Sequence, residues 1–114
     1  MNFVCKVEKV LVFTCHSIEQ VEFLPENYFR KICKTARQVV GIHQEPFGFQ
    51  VVQDNEPMMK AHEEFIRQHG YNLNFFDRLK EAENSGILKI LSVQLNQNAF
   101  QPENPTSVVI WEKC

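Results

Sequence analysis

Between Phe3 and Thr14 the residues Cys5, Val7, Leu11 and Phe13 alternate with Val4, Lys6, Glu8, Val10 and Val12, and a period of two over that length predicts a strand. The second half of this segment, Val10 to Phe13, is apolar on both faces, which is the pattern of a strand at the centre of a helix-covered sheet. A polar turn over 16–20 and a short stretch over 21–24 lead to Pro25, which suits the first turn of a helix because its missing N–H would have no partner there. Phe29, Ile32, Cys33, Ala36, Val39 and Val40 then recur at spacings of three and four, predicting a helix over 25–40 with Gly41 as its stop.

After the breaker Pro46, Phe47, Phe49 and Val51 alternate with Gly48, Gln50 and Val52, so a second strand is expected to end at Gln53. Asp54 and Asn55 suit capping, and Pro57 opens a second helix with Met58, Ala61, His62, Phe65 and Ile66 on its apolar side and Gly70 at its end. A third helix follows over 72–85, with Phe75, Phe76, Leu79 and Ala82 at helical spacing, Asn72 or Asn74 as cap and Gly86 as stop. Strands are predicted over 87–95, where Leu91, Val93 and Leu95 alternate with Ser92 and Gln94, and over 107–111. The stretch 96–106 between them, with three Asn, two Gln and two Pro, reads as a loop too long for a tight hairpin, and long ordered loops often carry binding.

The order β-α-β-α-α-β-β, with no repeat or linker, predicts a single α+β domain over 1–114: a mixed sheet of about four strands packed with three helices. The opening unit permits a parallel pair through a crossover, and the closing strands are expected to be antiparallel. Periodicity assigns the core to Leu11, Phe13, Phe29, Ile32, Ala36, Phe49, Val51, Phe65, Ile66, Leu79, Leu91, Val93 and Ile110.

Composition supports a globular chain, since 44% of residues are hydrophobic and only 23% charged. A net charge of −2 gives no global attraction to nucleic acid, so such binding would need a local basic patch. Lys6, Glu8 and Lys9 interrupt any export-signal core and no apolar run is long enough to span a bilayer, so a cytoplasmic location without membrane contact is expected. Cys5, Cys15, Cys33 and Cys114 contain no C-x-x-C; they read as free thiols, the first three as small buried hydrophobes.

Reactive chemistry is sparse. His62-Glu63-Glu64 begins like the zinc pattern H-E-x-x-H, but Ile66 occupies the fifth position, and His69 lies a further two turns along, about 10 Å from His62. No phosphate-cradling or nucleophile-elbow motif occurs, and no catalytic, cofactor-binding or metal residues are assigned. Cys15-His16 at the end of an apolar strand is a place where α/β proteins display reactive groups, although Ser17 to Phe23 lacks the Arg of a phosphatase-type loop. Arg30, Lys31, Lys34 and Arg37 form a basic face on the helix predicted over 25–40, fit for phosphates or an acidic protein surface.

The strand Leu11-Val12-Phe13-Thr14, the helix after it, and the run Phe49-Gln50-Val51-Val52-Gln53-Asp54-Asn55-Glu56-Pro57-Met58-Met59 resemble a family of small phage-encoded type II-C anti-CRISPR proteins. The resemblance implies an inhibitor in the host cytoplasm that binds a Cas9-type nuclease at its HNH region and blocks DNA cleavage without cofactor or chemistry of its own. Three readings stand open: a non-enzymatic protein-binding inhibitor, a nucleic-acid binder using the basic helix, and a small enzyme or ligand binder using the Cys15-His16 edge. For the first, the expected partner-binding residues are Arg30, Lys31, Lys34 and Arg37 on the helix and Asn98, Gln101 and Glu103 in the loop.

Overall fold

The computed structural model describes residues 8–51, 57–98 and 104–114, with the backbone alone at Met58, Asn96, Gln97 and Asn98. Four strands, β1 (Lys9–Cys15), β2 (Gln38–Glu45), β3 (Leu88–Asn98) and β4 (Thr106–Lys113), form one sheet in the order β1-β2-β4-β3. β1 runs parallel to β2, and β4 is antiparallel to both of its neighbours. The helices are α1 (Tyr28–Cys33), α2 (Gly48–Val51), α3 (Pro57–His69) and α4 (Phe75–Asn84). The expected α+β architecture with a mixed four-stranded sheet is therefore the observed one.

Several boundaries differ from the periodicity. The helix predicted over 25–40 stops at Cys33, and Val39, Val40 and Gly41 belong to β2. β2 buries Val39, Gly41, His43 and Glu45 on one face. A strand whose inward positions carry a glycine, an imidazole and a carboxylate has no hydropathy alternation to reveal it. Two β-branched residues at helical distance from Ala36 completed a false stripe. Gly41 ends no helix: a Cβ there would overlap the Trp111 indole from β4, so the missing side chain is what lets the two strands carry a tryptophan between them.

The strand predicted over 47–53 is replaced by the single turn α2, and 52–56 lie outside the described residues. Phe47 is buried and stacks on Phe76, while Phe49 packs edge-on against His62 of α3. α3 begins at Pro57 as expected, but its buried side is Met59, His62 and Ile66, with Ala61 exposed. For α4 the capping oxygen comes from Asn72, whose Oδ1 accepts from the N–H groups of Asn74 (3.0 Å) and Phe75 (2.6 Å). The loop predicted over 96–106 is shorter, because β3 extends to Asn98, opposite Thr106 of β4. Gln101 and Glu103 lie outside the described residues, and Asn98 sits in a strand rather than a loop.

α1, α4 and the Phe47 turn cover one face of the sheet. Phe29, Cys33, Ala36, Phe47, Phe75, Leu79 and Ala82 meet Val39, Leu88, Val109 and Trp111 there. Burial of these side chains supplies the main driving force for folding. Phe29, Ala36, Ile66 and Leu79 are buried as expected, and Ile32, Val51 and Val93 pack at the margin. Phe49, Phe65 and Ile110 are half-buried. Leu11, Phe13 and Leu91, core positions by periodicity, are instead exposed. The reason for the first two is topological: among the described residues β1 is an edge strand rather than a central one, and no layer covers its second apolar face.

Candidate functional site

Pairing registers place alternate residues of all four strands on the face opposite the helices. Leu11 and Phe13 of β1 lie beside Val40 and Ile42 of β2; Ile42 faces Ile110 of β4, and Gln44 faces Val108. A bulge between Ile90 and Ser92 brings Leu91 to the same side at the far edge. None of these seven apolar residues belongs to the core cluster. Leu11 is 64% exposed, Phe13 57% and Leu91 49%, so both margins of the patch stand in solvent. The patch crosses the whole sheet, roughly 15 Å at ordinary strand spacing. Antiparallel and mixed sheets that face water normally put polar residues outward, and a contiguous apolar stretch of this breadth marks an interaction surface.

Charge gathers at one end of that face. Lys9 pairs across from Gln38, and Lys89 sits opposite Glu112, which in turn faces Val40. Arg37 precedes β2, and Lys34 closes α1, the helix over the opposite face, so neither belongs to this one by strand alternation. The far end is neutral, with Cys15, Gln44 and Gln94. Arg30, Lys31, Lys34 and Arg37 are all exposed, yet they do not align along two helical turns, because α1 ends at Cys33. Arg30 lies instead in a cleft with Glu26, Glu81 and Ser85, where carboxylates match its charge locally.

Behind the inner face runs a closed chain of polar groups. The Trp111 indole N–H donates to His43 Nε2 at 2.9 Å, so the proton of the neutral imidazole resides on Nδ1 and is donated to Thr14 Oγ1 at 2.7 Å. Thr14 bonds the Glu45 carboxylate, which also accepts from the backbone N–H groups of Ser17 (3.3 Å) and Glu19 (3.1 Å). His43 and Trp111 are completely buried, and Glu45 nearly so. Desolvation lowers the His43 pKa to about 4 and raises that of Glu45 above the usual carboxylate value. The adjoining cavity, bounded by Ile18, Glu19, Glu45, Phe47, Gln50 and Phe75, is about 10 Å³, the size of one water molecule and too small for an organic ligand. This chain of groups therefore acts by fixing the interior.

Cys15 is exposed rather than buried, with its thiol 3.8 Å from Gln44 Oε1. His16, at a φ of 52°, turns back to Glu19 (3.2 Å) and Thr106 (2.8 Å), so the two residues form no joint reactive pair. Cys33 and Cys114 are free thiols, and Cys5 lies outside the described residues. His62 donates through Nε2 to Asn104 Oδ1 at 3.2 Å, and its buried Nδ1 has no partner among the described residues. His69 bonds the Phe65 carbonyl on the exposed side of α3. Among the described residues no three His, Cys, Asp or Glu side chains come together as a metal site. No described helix is long and apolar enough to cross a membrane.

The two buried histidines make stability depend on pH. Burial lowers the pKa of both His43 and His62 to about 4, against an ordinary 6.5 in the unfolded chain. Between those values the unfolded state binds more protons, so stability is full above about pH 6.5 and is lost as pH falls toward 4, by about 3 kcal/mol for each histidine. Glu45, with its raised pKa, acts in the opposite sense near the acid end. The melting temperature is expected to fall by at least about 10 °C from pH 7 to pH 4. A flat profile across that interval would contradict the burial of both rings.

Comparison of the chain with protein-family models, with curated proteins and with solved structures found no match.

Proposed function

We propose that this chain is a non-enzymatic binding protein whose working surface is the uncovered face of its sheet. One observation carries the reading: seven apolar residues on four strands form a continuous patch with no helix over it among the described residues, and its margins at Leu11, Phe13 and Leu91 are solvent-exposed. The occupant is a protein surface with an apolar centre and an acidic margin, because Lys9 and Lys89 stand at one end of the patch, on its two edge strands, with Glu112 between them. Association through such a centre is driven by desolvation, and the rim sets orientation and encounter rate.

The resemblance to type II-C anti-CRISPR proteins makes a Cas9-type nuclease, through its HNH region, the first partner to test. Inhibition would follow from occupying a surface that the nuclease needs for cleavage. Binding of the nuclease, followed by a target-cleavage assay, is expected to show stoichiometric inhibition by the wild-type chain. Reversing Lys9 and Lys89, both exposed, to Glu should leave the melting temperature nearly unchanged while weakening the complex about tenfold and flattening its salt dependence. Retention on DNA or RNA that falls with salt, without any protein partner, would instead support the nucleic-acid reading. If the charge-reversed variant binds its protein partner with wild-type affinity and salt slope, the rim has no part in recognition.

A further inference from the structure

The two edges of the sheet are built differently. β3 carries irregularities between Ile90 and Ser92 and between Gln94 and Asn98, devices that keep an edge from accepting another strand. β1 has none. Its register against β2 is unbroken from Lys9 to Cys15, it contains no proline, and Lys9 is its only charge. Among the described residues no strand lies on its outer side.

The phase of the β1 backbone follows from its ends. His16 N–H donates to the Gln44 carbonyl, and Gln38 N–H donates to the Glu8 carbonyl, so even-numbered residues direct their peptide groups at β2. The odd-numbered residues Lys9, Leu11, Phe13 and Cys15 direct theirs outward. We infer that β1 is a self-association site: two copies of this chain pair their β1 strands antiparallel about Val12, joining two four-stranded sheets into one. That register sets Leu11 opposite Phe13 of the second copy and Lys9 opposite Cys15 of the second copy. Every outward-facing residue then falls in a hydrogen-bonded pair, and the strand is used over its full length. Charge selects the same arrangement. Antiparallel pairing keeps the two Lys9 side chains about 20 Å apart at opposite ends, whereas parallel pairing would place them side by side.

The pairing uses the strand edge rather than the sheet face, so it and the proposed function fail or stand separately. Sedimentation equilibrium of the reduced protein is expected to show a monomer–dimer equilibrium that reaches mostly dimer by about 100 μM. The Lys9→Cys variant tests the register. Directly opposed residues of a hydrogen-bonded pair lie about 5.5 Å apart at Cα, within disulfide range, whereas Lys9 and Cys15 of one chain are about 20 Å apart. Mild oxidation should convert most of K9C to a covalent dimer, far beyond the wild-type level, without changing its melting temperature by more than a few degrees. Leu11→Pro removes one outward N–H and should weaken the dimer at least tenfold; if that variant fails to fold, the K9C crosslink still decides. A monomer throughout the concentration range, or a dimer in which K9C crosslinks no more than wild type, would overturn the inference.

Discussion

Replacing Trp111 by Ala is expected to lower the unfolding free energy by about 5 kcal/mol, a third or more of the total stability of an ordinary domain. The indole is completely buried, stacks on His43, meets Phe29 edge-on at a centroid distance of 5.8 Å and lies over Gly41. Truncation removes that contact area, leaves a cavity between β2 and the helices, and strips the buried His43 Nε2 of its donor, a loss of about 1 to 3 kcal/mol by itself. Trp111→Phe narrows the comparison, since it keeps much of the ring volume and loses the N–H; about 2 kcal/mol is expected. Urea denaturation of both variants measures this, and a loss below about 2 kcal/mol for Trp111→Ala would mean that the indole does not seal the interior.

Trp111 also marks where pattern reading succeeds and where it ends. The second half of the chain was legible in outline because α3, α4, β3 and β4 carry ordinary periodicity, with Leu79 and Ala82 at helical spacing and Val93 and Leu95 at strand spacing. β2 was not legible, because its inward side chains at Gly41, His43 and Glu45 are chosen to fit an indole and a hydrogen-bonded chain rather than to be apolar. The surface patch was half legible. An apolar residue on each face of Val10 to Phe13 was visible from the start, but such a pattern fits equally a strand between two layers and an edge strand with one face uncovered. Only the strand order β1-β2-β4-β3 distinguishes them.

Placing a charge on the uncovered face is expected to abolish partner binding without unfolding the protein. Phe13→Asp and Leu91→Asp alter opposite margins, on β1 and β3, where both side chains already stand about half in solvent, so the cost to stability is small. At a desolvated interface each carboxylate would be buried without a counter-charge, and the double variant should lose at least about 100-fold in affinity, some 3 kcal/mol. Leu91→Asp alone is the sharper variant, because it leaves β1 untouched and any self-association through that strand intact. An affinity within about threefold of wild type for the folded double variant would place the partner elsewhere.

Methyl-labelled NMR titration with the partner reads directly whether it occupies the face of the sheet that no described helix covers. The signals of Leu11, Val40, Ile42, Leu91, Val108 and Ile110 are expected to shift or broaden together, while those of Leu79 and Leu88 in the core on the helical side stay in place. Perturbation confined to Ile32 and Ile87, beside the α1–α4 cleft that holds Arg30, with the sheet-face methyls unmoved, would contradict it.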